Sequence, residues 1–191
     1  MRILGIDPGL RVTGYGCIDI QPPAGPGRLR AVEAGVIRLV PPSKAGDSRA
    51  PTRPSADRIS SRLVELSRDL GDVVERLRPS LACVESLFAH YKHPSTAIAM
   101  GHARGVILLT LRERGVPITE FKPNLVKKSL VGHGHASKEQ VQRAVMDTLR
   151  LAEPPSPHDV ADALAIALCA AWRLGPDARA EVIHSGDVHE Q

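Results

Sequence analysis

The sequence predicts an α/β fold built on one mixed sheet, and three features carry that reading. The first is a set of three apolar or alternating runs, at 3–6, 12–20 and 29–40, joined by short turns rich in Pro and Gly. Strands linked this tightly pair as an antiparallel meander. The second is a pair of later short apolar runs, at 81–85 and 116–121, each preceded by a segment that reads as helix. Strands separated by helices return in parallel by right-handed crossovers. The third is the apolar helical pattern from about 158 to 172 near the end of the chain. The predicted order is three strands, helix, strand, helix, strand, helices.

The first strand, Ile3-Leu4-Gly5-Ile6, delivers Asp7 to its C-terminal end, and Pro8-Gly9 then turns the chain. An aspartate before Pro-Gly can serve only the turn, so Asp7 gains meaning only if other acids converge on it. Residues 12–20 read as a second strand, 21–27 as a turn, and 29–40 as a third strand with Val32, Ala34 and Val36 in alternation. The stretch 41–56, rich in Pro, Ser and Arg, reads as a mobile insertion loop. From Asp57 to Leu77 the residues Ile59, Leu63, Leu66, Leu70, Val73, Val74 and Leu77 share a helical face, and Pro79 ends the pattern.

The run 81–85, LACVE, repeats the design of the first strand by ending in an acid, Glu85. A surface glutamate at a strand end is the plainer alternative. The next helix runs from about Pro94 to Arg114, is bounded by Pro94 and Gly115, and carries small residues at Ala97, Gly101 and Gly105. Those three permit either close packing on the chain's own sheet or the approach of a second helix. In the last helix Leu164, Leu168 and Trp172 form an expected buried stripe. Asp159 and Asp162 stand three apart on one face of its first turn. Asp159 also suits an N-cap. Residues 175–191 are polar and read as a loose tail.

The 191 residues suit a single domain, expected over 1–174. The three cysteines are scattered and form neither a disulfide frame nor a zinc motif. There is no signal-peptide core and no apolar run long enough for a bilayer, so a cytoplasmic protein is expected. The net charge is +4. Residues 122–150 hold six Lys/Arg against two acids, a net of +4, so the positive excess is concentrated there. A basic segment invites a polyanionic partner, although a solvated face is also possible. Within it GHGHASKEQ leads from a Gly-rich loop into a helix, with Ser137 and Gln140 at capping-box spacing. The helix N-terminus and Lys138 together can hold a phosphate.

If the first and fourth strands are parallel neighbours, Asp7 and Glu85 meet at their C-terminal ends. A final helix packed on that sheet adds Asp159 and Asp162. Several carboxylates in one place need a cation, and an all-oxygen set suits Mg²⁺ or Mn²⁺. Two such ions are an established apparatus for phosphodiester hydrolysis.

The blocks ILGIDPGLRVTGYG, CVESLF, GHARGV, VGHGHASKEQVQ and DVADALAIA, in this order from Met1 to about Trp172, resemble the RuvC family of crossover junction endodeoxyribonucleases. The resemblance implies a ribonuclease H-like fold with a mixed five-stranded sheet flanked by helices. It also implies a homodimer that makes paired nicks in a four-way DNA junction, in company with the RuvA–RuvB branch-migration complex. Asp7, Glu85, Asp159 and Asp162 fall on the family's catalytic, metal-binding acids. Lys127 and Lys138 fall on its DNA-contacting lysines, and Phe88 on the aromatic that stacks on a base. The 41–56 insertion is longer than the family pattern. His158 and Tyr91 are accessory candidates, since a relative can place His among the metal ligands and an exposed Tyr can stack on DNA.

Two other function classes compete. An actin-like ATPase or kinase also opens on a strand ending in Asp near Gly, but it needs a second nucleotide-cradling domain that 191 residues do not supply. A junction-binding scaffold without catalysis needs none of the four acids, and all four are present.

Overall fold

The computed structural model describes residues 1–21, 29–39, 56–86 and 94–174. The strands are β1 (Arg2–Asp7), β2 (Val12–Ile20), β3 (Leu29–Arg38), β4 (Leu81–Glu85) and β5 (Ile118–Phe121). The helices are α1 (Ala56–Leu77), α2 (Pro94–Glu113), α3 (Pro123–Val131), α4 (Lys138–Leu149) and α5 (His158–Arg173). The expected insertion at 41–56, apart from Ala56, and the expected tail at 175–191 lie outside the described residues.

The five strands form one sheet in the order β3-β2-β1-β4-β5. β1–β2 and β2–β3 are antiparallel, while β1–β4 and β4–β5 are parallel. This is the meander followed by crossovers that the strand spacing predicts. It also makes β1 and β4 neighbours, in the register Ile3↔Leu81, Gly5↔Cys83 and Ile6↔Val84.

Each face of the sheet is covered by helices. Leu4, Ile6, Cys17, Ala82 and Val84 point to one side and pack with Leu66, Leu70 and Val74 of α1 and Ala103, Ile107 and Leu111 of α2. Ile3, Ile18, Ile20, Leu81 and Cys83 point to the other and pack with Val126 of α3, Val141 and Val145 of α4, and α5. The two-residue side-chain period of a strand is visible in this division. The expected face of α1 is buried from Leu66 to Leu77, while Ile59 and Leu63 are half-buried near its start.

Helix α5 is the central helix. Val160, Ala161 and every residue from Ala163 to Ala171 are buried, as expected of a helix apolar on all sides. Its alanines let it lie close to the sheet. Trp172, expected on the buried stripe, is 38% exposed, because the core ends one residue before it at Ala171. The described residues include no helix long and apolar enough to cross a membrane.

Candidate active site

The alternation that builds the core also aims the acids. On β1, Ile3 and Gly5 face α5, and Asp7 is the next residue in that series. On β4, Leu81 and Cys83 face the same helix, and Glu85 follows. The register pairs Ile6 with Val84, so Asp7 and Glu85 end adjacent parallel strands on one face. The turn after Asp7 is held by Thr13, whose hydroxyl donates to the Gly9 carbonyl at 2.6 Å and accepts from the Gly9 N–H at 3.3 Å. Thr13 is fully buried.

Helix α5 brings its first turn over this end of the sheet. Pro157, not Asp159, occupies the N-cap position, and the helix starts at His158. Asp159 therefore sits inside the first turn, where an acid is favoured by the helix dipole, and Asp162 lies one turn on. The capping role open to Asp159 in the sequence is thus corrected by the structure, because Pro157 has already taken the extended conformation that ends the preceding loop.

The basic segment stands beside these acids. Helix α3 ends at Gly132 with φ of +88°, a left-handed conformation suited to Gly. The chain then enters α4 through a complete capping box. The Gln140 N–H donates to Ser137 Oγ at 3.2 Å, and the Ser137 N–H donates to Gln140 Oε1 at 2.8 Å. Lys138 is the first residue of α4, and Lys127 lies half-buried on α3.

The charges are mutually felt. Burial first, and then the charges of Glu85, Asp162 and Asp159, push the Asp7 carboxyl up to about 8, with Lys138 opposing them. Burial and Asp162 push Glu85 up to about 7, against Lys127 and Lys138. Asp162 is also raised, first by burial and then by Asp159, with Lys138, His158 and Lys127 pulling it down. A partly dehydrated acid cluster that resists ionisation is stabilised by a cation.

The donor set fits a hard divalent ion, since all four groups are carboxylates. No three His, Cys, Asp or Glu side chains among the described residues already stand as a tight ligand cluster. His158 is exposed beside Asp162 and also bears on Glu139. Phe88 and Tyr91 lie outside the described residues.

A family model described as "Crossover junction endodeoxyribonuclease RuvC" matches residues 3–170. The chain belongs to the RuvC family. A RuvC relative from Synechococcus sp. (strain CC9311) is 45% identical over 170 residues, covering 88% of this chain and 96% of that protein. The solved Thermus thermophilus RuvC is 31% identical with a TM-score of 0.72, covering 95% of this chain and 98% of that one. T. thermophilus RuvC in complex with a Holliday junction substrate is 28% identical with a TM-score of 0.71, covering 90% of this chain and 94% of that one. The matched range, residues 3–170, spans the ribonuclease H-like sheet of this chain.

Three residues near the acids carried no functional expectation from the sequence. Gly5, Gly14 and Gly16 face α5, and a side chain on any of them would overlap that helix. Their sequence signal is the period-two spacing of glycines inside strand patterns, which marks close approach of another backbone.

Proposed function

We propose that this protein is a structure-selective endonuclease that resolves four-way DNA junctions by paired, symmetric, metal-dependent nicks, in recombination and repair. The observation that carries this reading is the convergence of Asp7 and Glu85, at the ends of two adjacent parallel strands, with the first turn of α5, which bears Asp159 and Asp162. The RuvC relative bound to a Holliday junction substrate supports the choice of DNA.

In this reading Asp7, Glu85, Asp159 and Asp162 hold Mg²⁺ or Mn²⁺, two ions per site. Such ions, when bound, supply activation of the attacking water and stabilisation of charge on the leaving oxygen. The chain's own residues prepare for this. Lys127 and Lys138 favour the ionised form of Glu85 and Asp162, which is the form able to ligate. The same two lysines, with the N-terminal turn of α4, attract the phosphates of the DNA. Phe88 stacks on a base at the opened junction centre, Tyr91 is an accessory stacking residue, and His158 is an accessory to the acids. One nuclease unit spans 1–174.

Two symmetric nicks need two sites. We place the homodimer seam on α2. Among the described residues the space beyond Gly101 and Gly105 is open, with no atom of another element within 4 Å of a Cβ built on either. Among the described residues these glycines therefore do not pack on their own sheet, one of the two alternatives their spacing allows. Ile98 is 61% exposed and Leu109 57% exposed on the same helix, and apolar groups at such exposure favour a covered surface. The proposal extends to work beside RuvA–RuvB in the cytoplasm.

The test compares a synthetic four-way junction with linear duplex of the same sequence, in Mg²⁺, Mn²⁺ and EDTA. Nicks in two strands of like polarity, confined to the junction and to the metal-containing samples, are the expected result. Binding without nicking in either metal would leave a scaffold and reject the enzyme.

A further inference from the structure

The acids come from a sheet and from a helix, so their separation depends on how closely the helix sits. Strand β2 sets that distance. Gly14 is the register partner of Asp7 across the antiparallel β1–β2 pair. It is buried, and it lies directly under the first turn of α5. A Cβ at position 14 lands 2.1 Å from the backbone oxygen of Asp159, 2.6 Å from its carbonyl carbon and 3.1 Å from its own Cβ. These are backbone and Cβ atoms, so no side-chain rotation relieves the overlap. Recovering ordinary van der Waals separation needs a shift of about 1 Å.

Gly16 continues the seat. A Cβ there meets Leu164 Cγ at 2.7 Å, Leu164 Cδ2 at 2.8 Å and the Leu164 N at 2.9 Å. Part of that overlap lies at the end of a flexible side chain, so it is the milder of the two. Gly5 meets the Ala163 oxygen at 2.1 Å and the Ala167 nitrogen at 2.7 Å deeper along the helix.

We propose that Gly14 is a positioning residue of the active site: its lack of a side chain seats the first turn of α5 on β2 beside Asp7, and this fixes the reach of Asp159 and Asp162 to the metal position shared with Asp7 and Glu85. The proposal rests on the reading of the four acids as a metal site. Gly14 has no side chain to offer a ligand; it acts through the backbone of Asp159. Supports of this kind change metal affinity by about 10–100-fold when lost.

The experiment measures Mn²⁺ binding by the metal-induced rise in Tm of the full chain, without DNA, alongside junction nicking. Gly14→Ala is expected to raise the Mn²⁺ concentration for half-maximal stabilisation about 10-fold or more, with junction affinity in EDTA unchanged. Leu70→Ala is the control, because Leu70 is fully buried on the opposite face of the sheet. It should lower Tm and leave the Mn²⁺ half-point where it was. Asp162→Glu, one methylene longer, should impair the wild type but restore metal binding and nicking in the Gly14→Ala background.

If Gly14→Ala does not fold, Gly16→Ala decides, with a smaller shift of the half-point expected in the same direction. An unchanged Mn²⁺ half-point in the folded glycine variant overturns the positioning role, as does an equal shift in Leu70→Ala. A wild type that shows no Mn²⁺-induced stabilisation overturns the metal-site reading itself, and the positioning role with it.

Discussion

Replacing Asp7 by Asn should abolish cleavage and, in the absence of metal, stabilise the protein. The ordinary carboxyl value of 3.8 rises to about 8 in the folded chain, chiefly through burial and then through Glu85, Asp162 and Asp159. A group with a raised folded pKa holds a proton that the unfolded chain has released. Its folding penalty is therefore absent below pH 3.8 and grows as pH rises towards 8. The gap corresponds to about 5 kcal/mol at pH 7.5 and about 2 kcal/mol at pH 5. Asp7 is only partly buried, so relaxation and water access recover part of this, leaving an expected gain of about 1–3 kcal/mol for the neutral amide at pH 7.5. For a chain of this size that is a rise in Tm of about 2–12 °C. Urea unfolding in EDTA at pH 5 and 7.5 measures it directly, and the advantage of the variant should widen with pH. Saturating Mn²⁺ should reverse the order, because only the wild type gains the binding energy of an intact site. Wild type and variant stabilities that run parallel from pH 5 to 8 without metal would refute the picture of crowded, dehydrated acids. A variant that cuts at the wild-type rate would remove Asp7 from the chemistry.

Other predictions follow from the same geometry. At limiting metal, nicking should rise between pH 6 and 8 as Glu85 and Asp7, pushed up to about 7 and about 8, release their protons to become ligands; a pH–rate profile checks this. Lys127→Ala and Lys138→Ala should each lower the slope of log affinity against log salt by about one in a junction-binding titration. Phe88→Ala should reduce nicking more than junction binding, read by parallel gel assays of the two. Gly101→Leu should leave the protomer folded, since no other element among the described residues lies against Gly101, and yield a monomer by sedimentation.

The sheet was legible because its logic is local. Short Pro/Gly turns joined β1, β2 and β3, helical patterns preceded β4 and β5, and the apolar runs of β1 and β4 each stopped at an acid. Asp7 and Glu85 could be placed together once β1 and β4 were taken as parallel neighbours, because strand alternation then decides which face they share. The capping box at Ser137 and Gln140 was equally plain, being a contact within one turn. What the sequence did not disclose depends on contacts between distant elements. The N-cap of α5 fell to Pro157 because loop conformation, not residue preference, sets where a helix starts. Trp172 looked like part of a buried stripe, but periodicity does not say where the core ends. The glycines at 5, 14 and 16 read as small strand residues, and only the approach of Asp159, Ala163 and Leu164 shows what they are for. Conversely, Gly101 and Gly105 have the spacing of an inward-packed helix yet meet no other element among the described residues.

The most direct test is the fate of a supercoiled plasmid carrying an extruded cruciform. Two coordinated nicks across one junction convert it to linear DNA, whereas uncoordinated single nicks leave relaxed circles. A paired, four-acid nuclease predicts linear product in Mg²⁺ or Mn²⁺, none in EDTA, and none from Glu85→Gln or Asp162→Asn. Plasmid that stays supercoiled in both metals, or that accumulates only as nicked circles, would contradict it.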